Sequence, residues 1–84
     1  MSRPYDKFGT IVRQRRAELR ASQEMLAHKA GLNRSFVGEI ERGATVPSLL
    51  TMAKLAAALD IKLSALLARC ERGTPSQTAN TQSG

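Results

Sequence analysis

One cysteine and one histidine in 84 residues remove whole classes of chemistry from this chain. Cys70 has no second cysteine to pair with, and Cys70 with His28 falls short of the four ligands a structural zinc site takes. Neither an internal disulfide nor a metal is therefore expected, and the setting implied is reducing and cytoplasmic. A disulfide between two copies would require a two-fold axis beside Cys70. No charged start leads into an apolar stretch of the signal-peptide kind, and no apolar run approaches the roughly 20 residues of a membrane helix. Glycine-rich phosphate loops, nucleophile elbows and HExxH patterns are missing, and the seven acidic residues show no acid and base pairing. The chain is read as non-enzymatic, with no cofactor and no membrane partner.

What the chain does have is positive charge. Thirteen Lys and Arg against seven Asp and Glu leave +6, which favours polyanions through attraction to phosphate and release of counterions. Charge alone equally suits a merely soluble surface. Clustering tips the balance, because Arg13, Arg15, Arg16 and Arg20 fall within eight residues.

The most informative stretch is SQEMLAHKAGLNRSFVGEIERG, Ser22 to Gly43. Ser22 can cap a helix over about Gln23 to Ala30, with Gln23 and Glu24 at its positive end and Met25, Leu26 and Ala30 as its apolar face. Gly31 can take the left-handed conformation that ends it, Leu32 tucks between, and Asn33 can cap a second helix over about Arg34 to Glu41. In that second helix Val37 and Ile40 point inward while Arg34, Ser35, Gly38, Glu39 and Arg42 lie largely opposite. Two short helices across a glycine turn, the second with a polar, arginine-bearing outer face, form the pattern of a helix-turn-helix that lays a helix in the major groove.

The rest of the chain reads as helices around this motif. Phe8, Ile11 or Val12 and Leu19 recur at helical spacing from Tyr5 to Leu19. Pro47 at a first-turn position and Ser48 open a fourth helix with a stripe of Leu49, Met52, Leu55, Ala56 and Leu59. Ser64 can cap a last helix, ALLARCER, which Gly73 and Pro75 stop. The fold class expected is all-α, one domain over 5–72, with 73–84 a polar tail expected to be disordered. A core this small favours pairing with a second copy. Leu63, Leu66 and Leu67 exceed what one small core obviously needs, so they either meet a symmetry mate, together with Ile61 or Leu50, or close the bundle.

SQEMLAHKAGLNRSFVGEIERG followed by PSLLTMAKLAAAL resembles the Cro and phage-repressor class of helix-turn-helix proteins, the XRE family, over about residues 8 to 69. Within that class the short length and Leu-Asn-Arg-Ser-Phe-Val are similar to the controller proteins of restriction-modification systems. The resemblance implies a five-helix repressor-like bundle that binds double-stranded DNA as a two-fold homodimer on a palindromic operator, blocking or recruiting RNA polymerase. It places Arg34, Ser35, Gly38 and Glu39 at base-facing positions. Arg34 can give two hydrogen bonds to guanine, worth about 1–3 kcal/mol of discrimination. Ser35 suits several bases or a phosphate. Glu39 can accept from cytosine or hold Arg34, and Gly38 can permit close approach. Phe36 either meets a thymine methyl or packs against the first helix. Gln23, Arg15 and Arg42 fall near phosphates, where they position without reading sequence. Arg16 and Glu41 match a bridging pair between the first and third helices. Met25 and Met52 are core fillers, and His28 is a surface residue. A competing reading makes the chain an antitoxin-like interaction module whose DNA binding is secondary.

Overall fold

The computed structural model describes residues 4–72, and all the regular structure among them is helical: α1 Pro4–Glu18, α2 Gln23–Ala30, α3 Arg34–Glu41, α4 Leu49–Ala58 and α5 Leu63–Arg72. The segment expected as a tail, 73–84, lies outside the described residues. Proline at the first position of α1 loses no helical hydrogen bond there. Three helices start on side-chain caps. The Ser22 hydroxyl accepts from Met25 N at 3.0 Å, Asn33 Oδ1 from Ser35 N at 2.8 Å, and Ser48 Oγ from Thr51 N at 3.1 Å. Each is worth about 1 kcal/mol.

Four helices stop by one device. A residue in the left-handed region, Arg20, Gly31, Gly43 or Asp60, reverses the chain. The next amide then bonds back across the last turn: Ala21 N to Arg16 O, Leu32 N to Ala27 O, Ala44 N to Glu39 O and Ile61 N to Ala56 O, at 2.8 to 3.1 Å. Only two of the four reversals use glycine, which is why the sequence shows the breaks at Gly31 and Gly43 more plainly than those at Arg20 and Asp60.

The core is one cluster drawn from every helix: Phe8 and Val12 of α1, Leu26, Ala27 and Ala30 of α2, Val37 and Ile40 of α3, Leu55 and Ala56 of α4 with Leu59 after it, and Leu66 of α5. α1 packs on α3 and α5, α2 on α3 and α4, and α4 on α5. Several expected positions move. Met25 is 54% exposed and Ala27 takes its place, because residues 26, 27 and 30 share one side of α2 and residue 25 lies about 145° away at 100° per residue. Leu19, Leu49 and Leu50 are exposed as well. The last two sit in the first turn of α4, ahead of Met52, Leu55 and Ala56, where that helix meets the core. Pro47 is buried one residue before the cap rather than inside the first turn, since Ser48 does the capping. Ser64 lies within α5 instead of capping it, because the helix opens with the Leu66 amide on the Lys62 carbonyl at 3.0 Å.

Gly9 escaped sequence reasoning. It is buried mid-helix where α1 crosses the end of α3, and a Cβ there would overlap the Ile40 carbonyl oxygen and lie 2.9 Å from that of Glu41. These are backbone atoms, so neither side can yield cheaply. In an unobstructed helix Gly→Ala stabilises by about 0.5–1 kcal/mol. Gly9→Ala is expected to do the reverse and destabilise by about 1–3 kcal/mol through overpacking. Urea unfolding checks the sign, and a variant as stable as the parent would show that the two helices do not cross this closely.

Candidate nucleic-acid interface

The last residue of α3 organises the site. Glu41 is 7% exposed, and its carboxylate sits at the negative end of the helix, where the dipole opposes it. Three donors offset this. Arg16 gives Nε to Oε2 at 2.7 Å and Nη2 to Oε1 at 3.0 Å, and Gln23 gives Nε2 to Oε1 at 3.0 Å. Arg16 Nη1 also donates to the Ala21 carbonyl at 2.9 Å. One guanidinium therefore joins α1, the turn before α2 and the end of α3, and the first residue of α2 reaches the same carboxylate. The hydrogen bonds to Glu41 raise the Arg16 pKa above its ordinary value, ahead of the opposing effect of burial. Its contribution is fully present below the ordinary arginine range and is lost only above it, so the guanidinium stays charged at any working pH. Among the described residues no buried side-chain nitrogen or oxygen lacks a partner.

A carboxylate only accepts, so the Gln23 amide must turn its NH2 toward Glu41, and one of its two N–H groups remains. The face of α3 away from the core exposes Arg34, Ser35 and Glu39, with Asn33 before them and Arg42 after. Arg34 and Glu39 form no ion pair with each other. Phe36 is partly buried and packs against the core, and His28 is exposed. Gly38, placed by the sequence among outward residues, is buried: a Cβ on it would lie 3.3 Å from Arg42 Nη1 and 3.8 Å from the Gln23 amide nitrogen and oxygen. These two side chains cover it, so Gly38 does not stand open beside Arg34 and Ser35.

Arg15 is also placed otherwise than expected. Its Nε donates to Leu59 O at 3.0 Å and its Nη2 to Asp60 O at 3.1 Å, so it satisfies carbonyls at the end of α4. Nη1 meets Glu18 at 3.1 Å, and Arg69 of α5 meets the same carboxylate at 3.3 Å. Hydrogen bonds from Arg15 first, then Arg69, lower the Glu18 pKa. Three of the five N–H donors of Arg15 are thus engaged inside the molecule. Of the five leucine and isoleucine residues considered for a dimer surface, Leu66 is fully buried in the core, Ile61, Leu63 and Leu67 are partly buried against it, and Leu50 is exposed. Cys70 is partly buried too, and burial raises its thiol pKa. Among the described residues no group of three or more His, Cys, Asp or Glu is placed to hold a metal, and no helix is long and apolar enough to cross a membrane.

The profile of the helix-turn-helix family matches residues 12–66, which takes in α2, α3 and the Arg16–Glu41 pair. The chain belongs to the XRE-type helix-turn-helix family. Its similarity to the immunity repressor protein of Bacillus phage phi105 is 41% identity over 59 residues, which is 70% of this chain and 41% of that protein, so the chain spans less than half of the repressor's length. The crystal structure of the restriction-modification controller protein C.AhdI from Aeromonas hydrophila superposes with a TM-score of 0.72 at 47% identity, over 74% of this chain and 94% of that one. The clp gene regulator ClgR from Corynebacterium glutamicum shares the fold at a TM-score of 0.82 and 20% identity. The helix-turn-helix proper is α2, the Gly31 turn and α3.

Removing one partner of the Arg16–Glu41 pair leaves a largely buried charge unpaired. Glu41→Ala or Arg16→Ala is expected to cost about 3–5 kcal/mol, near the lower figure because the Arg16 side chain keeps 18% exposure. A double-mutant cycle on Arg16→Met and Glu41→Leu, read by denaturant unfolding, should return a coupling well above 0.5 kcal/mol. A coupling near zero would mean that Gln23 alone satisfies the carboxylate.

Proposed function

We propose that the protein is a sequence-specific transcription regulator that binds a palindromic operator as a homodimer, with α3 of each copy in the major groove. The observation that carries this is a braced polar face: Arg34, Ser35 and Glu39 are exposed on a helix whose far end is held by two hydrogen bonds from Arg16 of α1 and a third from Gln23 of α2. Side chains read bases well only when the element beneath them does not move. Arg34 is assigned to guanine, Ser35 and Glu39 to neighbouring base edges, and Arg42 and Gln23 to the phosphate backbone. Bound at its operator in the cytoplasm, the protein blocks or recruits RNA polymerase according to where that operator lies. The 47% identity to a restriction-modification controller protein supports this reading.

Base and phosphate roles separate in binding data. On a duplex recovered by selection from random sequences, Arg34→Ala is expected to lose about 1–3 kcal/mol, with little loss on unselected DNA. Arg42→Ala is expected to weaken both alike. Titrations on both duplexes at two salt concentrations measure this, and equal losses for Arg34→Ala on the two would remove it from base reading.

One recognition helix covers too few base pairs to specify a site, hence the homodimer, with half-sites about 34 Å apart. Its surface is assigned to Val46, Leu49 and Leu50, which are 59%, 66% and 67% exposed. They lie within residues 43–53, the longest run free of charged residues between residues 4 and 72. Two copies of a +6 chain repel each other least where they meet through such a run. Leu66 is excluded by its burial, and Ile61, Leu63 and Leu67 keep only partial exposure. Sedimentation at micromolar concentration is expected to show a dimer that Leu50→Glu converts to monomer with an unchanged circular dichroism spectrum. A monomeric parent, on DNA as well as off it, would overturn the dimer, and a dimeric Leu50→Glu only its placement.

A further inference from the structure

Gly38 sits four residues before Arg42, on the same side of α3, and its missing side chain leaves a hollow. The hollow is occupied. Arg42 Nη1 lies 3.3 Å from where a Gly38 Cβ would stand, and the Gln23 amide lies 3.8 Å from that point. Arg42 itself is exposed, and among the described residues its guanidinium has no hydrogen-bond partner, so its donors are unspent. Gln23 is fixed by Glu41 through one N–H and has a second to give. A charged fork and a neutral donor thus converge over one glycine. They do not repel each other, and together they suit a single anionic oxygen.

The geometry points to Gly38 as a positioning residue: it seats the Arg42 guanidinium beside the Gln23 amide so that both donate to one backbone phosphate. This rests on the DNA-binding reading above and gives Gly38 a role that touches no base. The physical argument is steric. At 3.3 Å a Cβ is tighter than ordinary contact, and the atom that must give way is the end of a flexible side chain, so the fold tolerates a larger residue while the guanidinium does not keep its place. Helix propensity favours the replacement, since glycine is a poor helix residue. Folding and binding should therefore respond in opposite directions.

Gly38→Ala and Gly38→Leu test this, the second because its side chain fills the hollow. Both variants are expected to melt no lower than the parent. Gly38→Leu should bind selected and random duplexes about tenfold more weakly, the loss expected for one charge-assisted phosphate hydrogen bond. The ratio between the two duplexes should not change, and the salt slope should fall by about 1. In an Arg42→Ala background the same substitution should change affinity little, because there is no guanidinium left to displace. Losses that multiply in the double variant, or a loss confined to the selected duplex, would overturn the assignment. Should Gly38→Leu melt low, Gly38→Ala decides through 15N relaxation of the Arg42 Nε–H in DNA-free protein. Increased mobility supports the seat, and unchanged order refutes it. That measurement needs no DNA, so a parent that bound no duplex at all would overturn the proposed function while the seat was still judged on its own.

Discussion

A carboxylate buried where electrostatics disfavour it holds α3 in place. α3 has eight residues, too few to be stable as an isolated helix in water, so its direction must come from what it is attached to. Val37 and Ile40 supply attachment through the core, but apolar contact is non-directional and permits a short helix to roll. Glu41 removes that freedom. Its bonds to Arg16 and Gln23 have fixed lengths and angles, and they tie the end of α3 to two other helices at once. The cost of desolvating two charges means that the pair contributes little net stability compared with an apolar isostere. Its effect is to select one orientation, which is what a DNA-reading face requires of its support.

The same end of α3 is held a second time by shape. Gly9 lets the backbone of α1 lie directly against the Ile40 and Glu41 carbonyls, so the crossing is set by main-chain atoms and the ion pair then fixes its register. α1 is in this sense the spine of the domain. Successive residues on it point about 100° apart, so Arg15 and Arg16, adjacent in sequence, serve different helices: Arg15 closes the end of α4 and Arg16 the end of α3. Glu18, held by Arg15 and Arg69, adds a link to α5.

Much of this was legible in the residues. Ser22, Gly31 and Asn33 marked both boundaries of the helix-turn-helix, because caps and left-handed turns are local chemistry that the sequence states outright. Val37 and Ile40 likewise followed from spacing. Rotational position was harder: Met25 and Ala27 differ by two residues, and only the neighbouring helix decides which is inside, so the larger apolar side chain was the natural and incorrect choice. Leu49 fitted the stripe of α4 but lies beyond the part of that helix that reaches the core. Leu66 had two open readings, and full burial settles it as core. What Gly38 and Gly9 pack against was hidden for a related reason. A glycine's role is set by what fills or approaches its empty side, which here is Arg42 in one case and a carbonyl in the other. An isolated glycine in a helical pattern is a signal of close approach, and Gly9 carried it.

Net charge is a poor guide to where a polyanion sits, and the arrangement here shows why. Of the cations, Arg15, Arg16 and Arg69 are engaged by Glu18 and Glu41, three positive groups against two negative, so this internal set carries only +1 and the remaining residues carry the other +5 of the chain's +6. In the cluster that first suggested nucleic acid, Arg13 to Arg20, two of the four arginines bind the protein itself. Arg34 and Arg42, one at each end of α3, are exposed and make no ion pair among the described residues, and within a screening length of about 8 Å it is such unspent groups that a phosphate feels. Arginines that hold the fold and arginines exposed at the ends of α3 are therefore separate groups, the first neutralised within the molecule. A domain this small can use one residue type for both tasks only by separating them in this way.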